Sequence, residues 1–146
     1  MAYDYGGYER QKGDIDYKYT QDAATNAYGR FISQQRGERS LGDMNRSFKR
    51  SFPNFQANFN QRGLSQPGVR SGTAQQAMNR YMGDFGREYG RAQQDITQGL
   101  QQYDLNQSNL DAWRSQALTD LETDKANEIA RAAENLQWLR DTLGGL

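Results

Sequence analysis

The stretch NQRGLSQPGVRSGTAQQA, residues 60–77, decides the fold. Gly63 closes one helix, LSQPGVRSG makes a turn, and Thr73 with Gln76 forms the Thr-x-x-Gln capping box that opens the next helix. The segment therefore predicts one helix folded back against another. A phosphate-binding loop is excluded, because GLSQPGVRSG lacks the terminal Lys-Ser/Thr pair and follows no strand.

Upstream of the turn, SFKRSFPNFQANFNQRG sets Phe48, Phe52, Phe55 and Phe59 at steps of four, three and four. That spacing lines four rings along one helix face, a packing face that something must cover. Ser51 is expected to cap this helix, with Pro53 in its first turn. Downstream, taking Met82 as heptad position a places Met82, Tyr89, Ile96, Tyr103, Leu110 and Ala117 in one row. Phe85, Ala92, Gly99, Asn106, Trp113 and Asp120 then fall at d. One consistent apolar row beside a mixed one suits helix packing in a bundle and specifies a two-stranded coiled coil poorly. The register slips near Leu118, after which Ile129, Leu136 and Leu143 form one row and Ala132 and Leu139 the other. Ser108 and Asp111 offer a cap at which the helix could restart. Unbroken from 74 to 142, it would reach about 100 Å. Glycines at 83, 86, 90 and 99 each weaken it by about 1 kcal/mol relative to alanine, and Gly86 and Gly90 share a face where another backbone could come close.

Nearer the amino end, TQDAATNAYGRFISQQR spaces Ala24, Ala27, Tyr28, Phe31 and Ile32 as a short amphipathic helix over 20–36, stopped by Gly37. A polar connector follows. Residues 1–19 are rich in Tyr and Gly, and the alternation of Ile15, Tyr17 and Tyr19 predicts an extended arm. The expected organisation is thus an arm at 1–19, short helices with a connector at 20–62, a turn at 63–72, and one long helix or two consecutive helices at 73–146. The fold class is mainly α: an elongated helical hairpin or bundle with a long C-terminal helix and an extended N-terminal arm, completed by oligomerisation.

Composition explains the last clause. Of 146 residues only 35% are hydrophobic, nine tyrosines included, and mean hydropathy is -1.07. So little aliphatic material cannot build a large core, while 12% aromatic residues argue against plain disorder. Burial completed against other subunits satisfies both facts. Fourteen arginines against four lysines favour planar contacts with carboxylates and rings, the chemistry of interfaces.

Formal net charge is zero, so no global field draws the chain to nucleic acid. Charge is nonetheless uneven: residues 30–70 carry eight basic groups against Glu38 and Asp43, and residues 95–146 carry nine acids against four bases. Arg46, Lys49 and Arg50 are the candidate charged contacts, with a protein partner expected before DNA. No cysteine and no histidine occur, which removes thiolate chemistry, the commonest transition-metal ligand and the commonest general base. The acids lie along polar faces with no apolar pocket to raise a pKa. Neither catalysis, a cofactor nor a small-molecule substrate is expected. The opening MAYDYGGYER has no signal-peptide pattern, and no apolar run could span a membrane, so synthesis as a soluble protein is expected.

A long, glutamine-rich, alanine-dotted helix preceded by NQRGLSQPGVRSGTAQQAM resembles a feature of small helical virion proteins of tailed bacteriophages. The matching positions are Arg62, Gly63, Leu64, Ser71, Gly72, Ala74 and Ala77, within residues 58–110, with SQPGVR inserted between the two halves. The resemblance implies a structural virion protein, made in the host cytoplasm and carried in the virion. It would be an internal ejection protein or a portal or tail-axis component that assists genome delivery. Implied partners are further copies of itself and the portal, tail or internal proteins, with incidental DNA contact. The interface expected on this reading comprises Phe48, Phe52, Phe55, Phe59, Met82, Phe85, Tyr89, Ile96, Tyr103, Leu110 and Trp113. A head decoration protein or another oligomeric helical adaptor is the alternative, and a nucleic-acid binder acting through residues 30–70 is a third reading.

Overall fold

A computed structural model of the chain describes residues 5–62 and 72–143. All but Arg62 lie in two helices, α1 (Tyr5–Gln61) and α2 (Gly72–Leu143), packed as a helical hairpin. Apart from Gly72, the expected turn at 63–72 lies outside the described residues. Among the described residues no helix is long and apolar enough to cross a membrane.

Helix α1 absorbs what the sequence divides into an arm, a short helix, a connector and a second short helix. The reason is tertiary. Ile15, Tyr19, Asp22 and Asn26, then Ser33, Gly37, Leu41, Met44, Phe48, Ser51, Phe55 and Phe59, all half-buried except the buried Gly37, recur at steps of three, four or seven along the helix and make its inward stripe. Gly37 belongs to that stripe and is buried, so it is a contact and not a stop. Ser51 sits in mid-helix, where its hydroxyl bonds the carbonyls of Ser47 (2.9 Å) and Phe48 (3.2 Å) instead of capping an end. Pro53 also lies inside α1, where it leaves the Lys49 carbonyl without its helical donor, a loss on the order of 3 kcal/mol. The helix continues because Phe48, Phe52 and Phe55 on either side of it are held by rings of α2.

Helix α2 is uninterrupted from Gly72 to Leu143, with no restart at Ser108. Thr73 falls inside its first turn, not at its cap. Its inward row matches the a positions Tyr89, Ile96, Tyr103, Leu110 and Ala117, all half-buried, but the companion row drifts. Phe85 and Ala92 face inward, whereas Gly99, Asn106, Trp113 and Asp120 give way to Leu100, Gln107, Arg114 and Leu121, each one residue later. A straight α-helix drifts by about 20° per heptad against a strict seven-residue repeat, and the inward row follows the helix. At the other end Met82 is 45% exposed and Tyr81 takes the inward place.

The chain divides into two compact units, one of Met1–Tyr28 with Asp104–Leu146, the other of Gly29–Tyr103. Inside the second unit, Gly29 lies against Tyr103, Gly37 against Ile96 and Phe48 against Phe85, so α2 numbers fall as α1 numbers rise: the helices are antiparallel. The first unit has the same sense, with Tyr8 against Lys125 and Asn26 against Gln107.

The close approach expected at Gly86 and Gly90 is not where the helices are tight. A Cβ at Gly83, Gly86, Gly90 or Gly99 would meet nothing within 4 Å. The narrow places are on α1. A Cβ at Gly37 would lie 2.8 Å from Ile96 Cγ2 and 2.9 Å from its Cγ1, and one at Gly29 would lie 2.8 Å from Tyr103 Cε1. Gly86→Ala is therefore expected to raise stability by about 1 kcal/mol through helix propensity. In Gly37→Ala the same gain is met by overpacking of about 1–3 kcal/mol, so its denaturant midpoint should stay level or fall. Equal gains in the two variants would show that the Gly37 notch is not tight.

Candidate functional site

In the second unit the phenylalanine row of α1 meets a matching ring row on α2. Phe48 stacks on Phe85 at 4.1 Å between centroids and on Tyr81 at 5.7 Å, and Phe55 stacks on Tyr81 at 4.5 Å with planes 14° apart. Phe52 joins Phe48 at 5.4 Å, Phe59 meets Phe55 edge-on at 5.0 Å, and Tyr89 extends the ladder from Phe85 at 5.7 Å. The Tyr81 hydroxyl keeps a polar partner, Ser51 Oγ at 2.6 Å. Stacked pairs of this kind contribute about 0.5–1.5 kcal/mol beyond their burial. The phenylalanine row is thus partnered within its own chain, although all of these rings stay half-buried.

The remaining expected interface residues separate into two groups. Ile96, Tyr103 and Leu110 are half-buried in the seam, while Met82 and Trp113 stand 45% and 37% exposed, Trp113 beneath the Lys18 ammonium at 4.9 Å. Tyr81 is the member that heptad counting misses. The matching signal is a ring row at steps of four, Tyr81, Phe85 and Tyr89, which complements the row on α1.

Arg46, Lys49 and Arg50 are all exposed on α1. Arg46 pairs with Asp43 one turn earlier, and Arg46 and Arg50 line a shallow hollow of about 370 Å³ with Asp43, Ser47, Ser51 and Asn54. Both partners of the Arg46–Asp43 pair are more than two-thirds exposed. Such a pair contributes little to stability and leaves the guanidinium accessible to another partner.

The first unit is fastened differently. Tyr19 donates from its hydroxyl to Asp111 Oδ1 at 2.6 Å. Gln107 Nε2 donates to the same Oδ1 at 3.0 Å and to the Tyr19 hydroxyl at 3.3 Å, and Asn26 Nδ2 reaches Gln107 Oε1 at 3.3 Å. Arg114 lies 4.9 Å over the Tyr19 ring and bonds Asp16 Oδ1 through Nε at 2.9 Å and Nη2 at 2.8 Å. Sequence periodicity misses this node, because its members are polar residues inside an otherwise apolar row. Its geometry demands one register: slipping by a residue would part every pair. The hydrogen bond to Asp111 raises the Tyr19 pKa above the usual 10.0, with desolvation adding in the same direction.

No protein-family model, curated protein or solved structure matches the chain.

Two outcomes are expected. Phe48→Ala should cost about 2–3 kcal/mol, less than for a fully buried ring, while Phe31→Ala, 54% exposed, should change stability by no more than about 0.5 kcal/mol; chemical denaturation compares them. The folded state favours the neutral Tyr19 phenol, so its contribution is complete below the ordinary pKa of 10.0 and is lost as pH rises through the raised folded value. The stability difference between wild type and Tyr19→Phe should accordingly shrink above pH 10.0. A difference constant across that range would show that the Asp111 bond does not favour the neutral phenol.

Proposed function

We propose that the protein is a structural component of a tailed-bacteriophage virion, an internal ejection or portal and tail-axis protein that assists genome delivery. The observation that carries this reading is how little the hairpin buries. Among the described residues only Gly37 and Ala74 are buried, while Tyr17, Tyr28, Phe31, Leu105, Leu136, Trp138 and Leu143 are each more than half exposed. A two-helix chain with large apolar side chains facing outward is a part that completes its burial in an assembly. Two long antiparallel helices can also be laid side by side with further copies around an axis. On this reading the partners are other copies and neighbouring virion proteins, and the chain has neither catalytic activity nor a cofactor.

The exposed Arg46, Lys49 and Arg50 face supports a contact with acidic protein surfaces or with packaged DNA, and so fits a protein that travels with the genome. A head decoration protein or a helical adaptor would share the exposed apolar residues but has no need of that basic face.

Particles purified from a lysate in which the chain is expressed provide the test. Peptides of this protein should be found in full particles and be depleted from particles that have released their DNA. Retention after release would favour the decoration or adaptor reading. Absence from both would contradict a virion role.

A further inference from the structure

The two units carry opposite charge. The Gly29–Tyr103 unit holds eleven basic side chains against five acidic ones, a net of +6, and ten of the eleven are arginines. The unit of Met1–Tyr28 with Asp104–Leu146 holds thirteen acids against seven bases, a net of −6. The zero net charge of the chain is thus the sum of two strongly charged bodies.

Neither excess is spent among the described residues. Arg46 and Arg87 pair with Asp43 and Asp84 of their own unit. Arg36, Arg39, Lys49, Arg50, Arg80 and Arg91 are exposed and have no ion-pair partner among the described residues. In the acidic unit the same holds for Glu9, Asp14, Glu122, Asp124, Glu134 and Asp141. That unit also presents the open rings of Tyr17, Tyr28 and Trp138, which are 65%, 68% and 65% exposed. Guanidinium groups bind carboxylates by planar forks and stack on aromatic faces, so carboxylates and rings on one body form a surface suited to arginine. The acidic unit already holds one arginine in this way: Arg114 bonds Asp16 and lies 4.9 Å over the Tyr19 ring.

We infer that the basic unit of one copy docks on the acidic unit of a second copy. Three observations select that occupant. The two excesses are equal and opposite, so copies neutralise one another completely. The basic excess is almost wholly arginine, and the acidic unit offers both groups that arginine binds. A nucleic acid would accept the same arginines, but the −6 unit carried on the same chain repels it and its phosphates leave the open rings uncovered. Each copy presents one surface of each sign, so the contact is heterologous: it closes as a reciprocal pair or ring, or it extends into a chain.

This inference rests on the assembly reading above, but the two fail separately, since recovery from particles decides the virion role and the purified chain decides this contact. At about 10 mM salt the Debye length is about 30 Å, and at about 1 M it is about 3 Å. Sedimentation velocity of the full chain should show a mass of at least twice 16.7 kDa at low salt and 16.7 kDa at high salt. Arg36→Glu, Lys49→Glu and Arg50→Glu together bring the basic unit to zero net charge, and Glu122→Lys, Glu134→Lys and Asp141→Lys do the same for the acidic unit. All six positions are exposed on the helices, so the helical circular dichroism should be unchanged. Each triple variant alone should be monomeric at low salt. An equimolar mixture of the two should recover the association, because the first keeps its acidic unit and the second its basic one. A wild type that stays monomeric at low salt, including one that gathers only on a short DNA duplex, would overturn the inference. So would association that persists unchanged at high salt, self-association of either triple variant, or a mixture that stays monomeric.

Discussion

Ile96 lies so close over Gly37 that a single added methyl at 37 would stand 2.8 Å from its Cγ2. Much else follows from this contact. A glycine in mid-helix is unfavourable by about 1 kcal/mol relative to alanine, and at 37 it opens a gap on α1 into which the β-branched side chain of Ile96 sinks. Once Ile96 occupies that gap the helices are fixed in separation and in register, and Phe48 falls against Phe85. The ring ladder then carries α1 through Pro53, where a helix with no such neighbours would break. The residues that weaken α1 as an isolated helix are tolerated because α2 is beside them.

The two units solve the same problem with different chemistry. In the Gly29–Tyr103 unit the seam is a notch that sets the register and a stack of rings that supplies area and dispersion. In the unit built from the chain's two outer segments, Tyr19, Gln107, Asp111 and Asn26 form a connected set of hydrogen bonds beside the Arg114–Asp16 pair. Each bond is partly exposed and adds little by itself, yet together they tolerate one register only. Area holds one unit and directional bonding aligns the other.

The helical architecture was legible in the two periodic rows that lie on either side of residues 63–71. The phenylalanine spacing, and the α2 row from Tyr89 to Ala117, follow from helical geometry alone. Local punctuation misled elsewhere: Gly37 reads as a stop, Ser51 as a cap and Pro53 as a first-turn residue, because each carries a local preference that packing against α2 overrides. The alternation of Ile15, Tyr17 and Tyr19 reads as an extended arm, but in the helix only Ile15 and Tyr19 face inward while Tyr17 is 65% exposed. The polar node was illegible because Gln107 and Arg114 occupy inward positions that a hydrophobic template assigns to solvent. Of the candidate interface, the rings could be listed from spacing, but which of them spend themselves on the chain's own second helix depends on a long-range register that no local pattern states.

That register is the central claim, and cross-linking within the monomer measures it directly. Met44 and Glu88 line one hollow between α1 and α2, and the natural chain contributes no cysteine of its own. A Met44→Cys, Glu88→Cys chain treated at high dilution with a short bifunctional thiol reagent should cross-link rapidly within one molecule. Met44→Cys with Asp95→Cys, one heptad further along α2, should not. Comparable rates for the two pairs, or preference for the shifted one, would contradict the hairpin register on which the account rests.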